Sequence, residues 1–397
     1  MTTTTPRQPR HLATAVLLRS RWFLWACLTV AFCHMVAAQP STQVRPEVMA
    51  TDLDHPWAVA FLPEGRFLVT ERPGRMRVIE PDGRVHAPLG GVPAVAASGQ
   101  GGLLDIALDS GFARNRLLYF CYAEPGDNGS SGTALARARL NEDLTSLQDV
   151  QVIFRQQPKV ASRLHFGCRI AERQVGGKSD GTLFLTLGER FSQRDAAQRL
   201  DNHLGKVVRV GKDGSVPKDN PFIGRGGTLP EIWSHGHRNG QGAAIAPDGQ
   251  FWMTEHGAMG GDEINLPRAG GNHGWPVVSF GVNYDGTPVG TGQSGAPGMQ
   301  APLHHWTPSI APSGMAFLTS DRYGSGWQGG LFVGSLKFRY LARLTLRDGR
   351  VVGEERLLQN LKRRIRDVRQ GPDGWLYVLT DEDKGQLLRI LPAPMTK

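Results

Sequence analysis

Apolar residues in this chain recur mostly with a period of two, in short runs bounded by glycine. That is the spacing of strands; no long stretch carries the three-to-four period of a helix. One unit repeats: a turn containing glycine, often Pro-Asp-Gly, then a strand of alternating or continuous apolar residues, then a polar end. It occurs as FLPEGRFLVTER (61–72), FARNRLLYFCYAE (112–124), KSDGTLFLTLGER (178–190), APDGQFWMTEHG (246–257), GWQGGLFVGSLK (326–337) and GPDGWLYVLTDED (371–383). A second strand-like run, such as RMRVIE, ALARARL, GKVVRV, RYLARLTL or QLLRI, generally follows. Six hairpin-bearing units, spaced roughly 45–80 residues apart, predict an all-β, six-bladed β-propeller in a single domain. Longer spacings at 191–245 and 258–325 predict loop insertions. In a propeller the loops of every blade converge on one face, so polar strand ends far apart in sequence can share one pocket.

Composition supports this picture and adds a compartment. The 50 glycines and 26 prolines suit a turn-rich sheet protein. Residues 1–21 hold Arg7, Arg10, Arg19 and Arg21 and no acid; a short apolar run, Trp22–Val36, and the small residues before Gln39 follow. This reads as a secretory signal peptide over 1–38, too short to span a membrane, leaving a domain of 39–397 that is periplasmic or secreted without a membrane anchor. Loss of four arginines and no acids takes the net charge from +9 to +5. The remaining basic residues are scattered, which argues against nucleic acid and suits a small anionic ligand. Cys121 and Cys168 are the cysteines beyond the leader; they could pair in an oxidising compartment, but they are no disulfide framework.

The chemistry concentrates in 231–276, where Arg238, Asn239, His256, Asp262, Glu263 and His273 stand among many glycines around the predicted strand GQFWMTE. Gly-rich loops let backbone carbonyls and N–H groups approach a ligand. EHGAMGGDEINL (255–266) has the oxygen donors calcium prefers, though not the helix–loop–helix pattern, and nothing has zinc-ligand spacing. His165, in LHFGCRI, is suited to removing a hydroxyl proton, and Glu189, in LTLGER, could orient it. Arg238, Lys337, Arg364 and Arg366 fall at blade ends, as cations for a ligand with several negative charges. Gln100 lies between glycines at another blade loop.

These motifs, with LDHPWAVAFLPEGRFLVTERPGRM, GQGGLLDIAL, LDNHLGKVVRV, GHRNGQG, NYDGTPVG, SIAPSGMAF, GSLK and RIRDV, occur in one order. In that order the chain resembles the soluble, PQQ-dependent aldose sugar dehydrogenases, relatives of soluble quinoprotein glucose dehydrogenase. The resemblance implies oxidation of the anomeric hydroxyl of an aldose to a lactone, with electrons passing to an external acceptor such as a quinone or a small redox protein. It implies His165 as general base, Glu189 as its supporting acid and Arg238 as the residue over the quinone. Gln100, Asn239, Ser309, Lys337, Arg364 and Arg366 would hold PQQ. The carbonyls of Gly257 and Ala258 would bind the catalytic Ca2+, and Glu263 with the backbone of His273 a second one. Ala258, His273 and Cys168 stand where that family usually has proline, tyrosine and glycine. A monomer or homodimer is expected. The competing readings are a calcium-dependent lactonase, which needs no cationic cradle, and a non-catalytic propeller binding glycans or proteins, against which the His165–Arg238 pair and the metal loop count.

Overall fold

The computed structural model describes residues 43–393; the expected signal peptide and its cleavage point lie outside the described residues. Six antiparallel sheets are arranged as the blades of a propeller, five of four strands and one of three. The first blade is Pro56–Phe61, Phe67–Glu71 and Arg75–Ile79. The second is Leu103–Leu108, Leu117–Pro125, Ser131–Leu140 and Leu147–Arg155. The third is Ile170–Val175, Lys178–Thr186, Lys206–Gly211 and Ile232–His235. The fourth is Gly240–Ile245, Phe251–Glu255, Asp262–Asn265 and His304–Trp306. The fifth is Pro312–Phe317, Leu331–Ser335, Leu341–Arg347 and Arg350–Leu357. The sixth comprises Ile365–Gln370, Leu376–Thr380 and Gly385–Pro392, and Val44–Leu53 pairs onto its outer edge, Val44 opposite Pro392. The repeated unit of the sequence is the second strand of each blade. In the second unit, however, Phe112–Asn115 is a short α-helix rather than strand, and it is the only α-helix among the described residues.

Blades bury both faces, which is why their second strands read as continuous apolar runs. Leu183 and Leu185 pack towards the second blade, while Phe184 stacks on Phe251 of the fourth at 4.6 Å. Each such side chain contributes about 1.5–3 kcal/mol on burial. First strands line the axis and touch their neighbours around the ring. The approach is close: a Cβ at Gly242 would lie 2.3 Å from the Ser313 carbonyl oxygen.

The axis is closed by charge rather than by apolar packing. Arg169 Nη1 lies 3.1 Å from Asp105 and 2.8 Å from Asp367. Arg369 reaches the same two carboxylates at 2.6 and 3.1 Å. Asp105, Arg169 and Asp367 are buried. The Arg169 guanidinium lies 4.1 Å from the centre of the Trp57 ring, and its Nε donates to the Gln241 carbonyl.

Candidate functional site

Above this plug is a cavity of about 280 Å³. Of the expected ligand-holding residues, Gln100, Asn239, Arg364 and Arg366 line it. His256 of the Gly-rich cluster lines it as well; Trp57, Arg72, Gln241, Leu336 and Asp381 line it too, and were not anticipated. Arg72 and Asp381 carry the same signal as the others, a polar residue at the end of a repeated strand. Trp57 and Gln241 lie on innermost strands, where the sequence pattern reads as core.

Asp381 accepts from Arg366 at 2.6 Å and from Arg364 at 3.4 Å. Burial pushes its carboxyl up, but the two guanidinium groups outweigh that and hold it at about 2. The pair is therefore aimed by a fixed carboxylate, with Arg366 Nη1 also donating to Gln241 Oε1. Arg366 Nε is buried without a partner.

Gly167 also lines the cavity, and His165 lies two residues before it. His165 has φ 51° and Gly167 φ 80°. A Cβ on Gly167 would lie 2.5 Å from the Thr186 carbonyl oxygen, so glycine is required there. His165 Nδ1 lies 3.1 Å from Glu189 Oε1, with both side chains buried. The other Glu189 oxygen accepts from the Phe191 N–H. With Nδ1–H donated to the carboxylate, Nε2 carries the lone pair. Burial pulls the imidazole below its ordinary pKa of 6.5, against the opposing Glu189 hydrogen bond. The Phe191 and His165 rings meet edge to face with centres 5.4 Å apart, and the Tyr284 ring is tilted against Phe191 with centres 6.4 Å apart.

Arg238 is buried, with Nη1 donating to the Gly257 carbonyl at 2.5 Å and Nη2 to Tyr284 at 3.2 Å. Its Nε has no partner. Two other expected residues lie differently. Ser309 Oγ is engaged with Asp262 at 2.6 Å, and Lys337 is exposed, over the Phe338 ring. Neither lines the cavity, and nor does Arg238, which lines a narrower pocket with Gly257, Glu263 and His273.

The metal expectation rests on backbone and on few carboxylates. Among the described residues no three His, Cys, Asp or Glu side chains form a metal-ligating group. Asp262 is taken up by the Gly257 N–H, Ser309 and the Ala311 N–H. Glu263 is raised to about 8, by burial first and then by Glu255. Glu255 is engaged by His237 Nδ1, the Arg238 N–H and Asn265, so Glu263, which among the described residues accepts only from Asn265, is the carboxylate that fits calcium's oxygen donors. His273 lines the same pocket as Glu263, its ring stacking on His237 at 4.5 Å with Nδ1 3.2 Å from Asn265 Oδ1.

Burial also pulls His235 down to about 4 and His304 below its ordinary value. Such histidines stay neutral in the folded state while the unfolded chain protonates below pH 6.5. Stability is therefore present above about pH 6.5 and lost as pH falls towards 4. The melting midpoint is expected to drop steadily across that window in a thermal scan, and less steeply in His235→Gln.

The family model for glucose/sorbosone dehydrogenases matches residues 53–389. The aldose sugar dehydrogenase YliI of Escherichia coli (strain K12) is 46% identical over 359 residues, covering 89% of this chain and 94% of that protein. The apo crystal structure of the soluble aldose sugar dehydrogenase from Escherichia coli superposes with a TM-score of 0.84 at 45% identity, over 88% of this chain and 100% of that one. The PQQ-bound aldose sugar dehydrogenase of Streptomyces coelicolor gives 0.72 at 27% identity, over 89% and 100%.

Proposed function

Since the chain belongs to the glucose/sorbosone dehydrogenase family, we propose that it is a quinoprotein that oxidises the anomeric hydroxyl of an aldose to a lactone. The observation that carries the reading is the buried His165–Glu189 pair beside an axial cavity walled by guanidinium groups. The donor set suits PQQ, a planar tricarboxylate: Arg364 and Arg366 present charged forks, and the unpartnered Nε atoms of Arg366 and Arg238 lack only an acceptor. Gln100 and Asn239 would complete the cradle, with Arg72 and Gln241 added to the expected set. Ser309 and Lys337 would have to turn from their present partners to join it.

PQQ supplies the hydride acceptor, and calcium at the Gly257–Ala258 carbonyls a Lewis acid. His165 Nε2 takes the hydroxyl proton, and Glu189 holds the resulting imidazolium. Arg238, already at the Gly257 carbonyl, stabilises developing negative charge. Glu263 and the backbone of His273 would hold a second calcium. Phe191 and Tyr284, exposed beside His165 and Arg238, would offer faces to a sugar ring. Electrons leave to an external acceptor.

A periplasmic or secreted location accords with the leader composition and with the Cys121–Cys168 disulfide. Among the described residues no helix is long and apolar enough to cross a membrane.

Reconstitution of the purified protein with PQQ and Ca2+, followed by dye-linked oxidation of an aldose panel, tests the reading. Activity requiring both additions is expected. A protein that takes up no quinone chromophore returns the lactonase or glycan-binding reading to the front. Glu189→Gln is expected to lower kcat at least tenfold. It also removes the interaction that raises the His165 pKa. The acid limb of the rate profile then moves to lower pH; an unmoved limb would detach Glu189 from the base.

A further inference from the structure

The segment that carries His165 has no ladder of its own. It is held residue by residue from different blades. The His165 N–H donates to Gln100 Oε1 at 2.8 Å, and Thr133 Oγ1 donates to the Phe166 carbonyl at 2.7 Å. The Gly167 N–H donates to Asn239 Oδ1 at 3.1 Å, and its carbonyl accepts from Gln241 at 2.9 Å. Four side chains thus fix three residues, two of them with positive φ. The next residue, Cys168, is covalently bonded to Cys121, in the second strand of the second blade. Both cysteines are fully buried. The bond crosses from one blade to the loop entering the next, three residues from the imidazole.

We propose that the Cys121–Cys168 disulfide is a positioning device for the His165 imidazole, fixing the base-bearing segment against Glu189 across the boundary between two blades. The hydrogen bonds of the segment can each lengthen or break when their anchors shift, whereas the disulfide cannot. Because the positions of Gly167 and His165 depend on anchors in separate blades, a small shift between blades reaches the base unless one tie is covalent. The bond is sealed from solvent, so it acts as a permanent constraint and not as a redox-operated switch. This inference rests on the reading of His165 as the base.

The test compares the full chain with its Cys121→Ala/Cys168→Ala variant. Imidazole NMR signals of His165, assigned by their loss in His165→Asn, are titrated without cofactor; kcat, KM and quinone affinity follow after reconstitution. With the tie removed, water reaches the imidazole and its pKa is expected to rise towards 6.5, because burial is the main cause of its depression. A roughly tenfold fall in kcat is expected, with KM and PQQ affinity within twofold. A variant with the parent's titration and kcat, and only a lower melting midpoint, overturns the proposal and leaves a plain stabilising crosslink. If the double variant does not fold, Cys121→Ser, which keeps the Cys168 side chain in place, carries the same two readings. Parental activity in His165→Asn would instead sink the base assignment, while the titration would still report on position.

Discussion

His165→Ala is expected to lower kcat by about 10²–10⁴-fold, the usual contribution of a positioned general base, while quinone binding persists. The separation follows from the geometry. The cavity's guanidinium groups, Arg72, Arg364 and Arg366, come from the first and sixth blades, and Gln100 is held by the His165 backbone N–H, which alanine retains. Alanine at a φ of 51° does introduce some backbone strain. His165→Asn separates the two effects, since asparagine tolerates that conformation but is no base at neutral pH. Both variants should be equally slow in the dye-linked assay. Recovery by asparagine would mean that conformation, not proton removal, was lost.

Arg169→Met is expected to be the most destabilising single change at the axis. It leaves Asp105 and Asp367 buried with Arg369 as their remaining cation and abandons the Gln241 carbonyl. Breaking a buried ion pair from one side costs about 3–5 kcal/mol. In a domain of this size that corresponds to a melting midpoint lower by roughly 5 °C. The cost should arise from the stranded carboxylates, so Arg169→Met/Asp367→Asn is expected to recover part of it. A single variant that melts with the parent would show that Arg369 alone neutralises the pair. Because Gln241 also holds Gly167 and Arg366, catalysis should suffer in the surviving fraction.

The propeller was legible because its second strands are buried on both faces and preceded by glycine turns, as in KSDGTLFLTL. Val44–Leu53 was not: an outermost strand, half exposed and carrying Pro46, has no such signature, and its partner lies at the far end of the chain. At the site, residues at strand ends such as Glu189 and Arg366 announced themselves as polar interruptions of apolar runs. The meeting of His165 with Glu189, and of Arg366 with Asp381, is made at the paired ends of the first two strands of one blade, by a strand register that the run of apolar residues does not record. Ser309 illustrates the converse. Its motif marks the loop, but the hydroxyl is claimed by Asp262, a competition between neighbours that spacing does not reveal.

The strand Val44–Leu53 also sets an order of events. It leaves the ribosome before any blade exists, yet its place is against Gly385–Pro392, more than three hundred residues later. Until that last hairpin arrives, the ring stays open at one seam and both unpaired edges are available to other chains. Closure joins segments of very high sequence separation, the kind of contact that slows folding. The step that completes the molecule is thus also its most exposed moment. Chain concentration during synthesis should bear on yield more than the stability of any single blade.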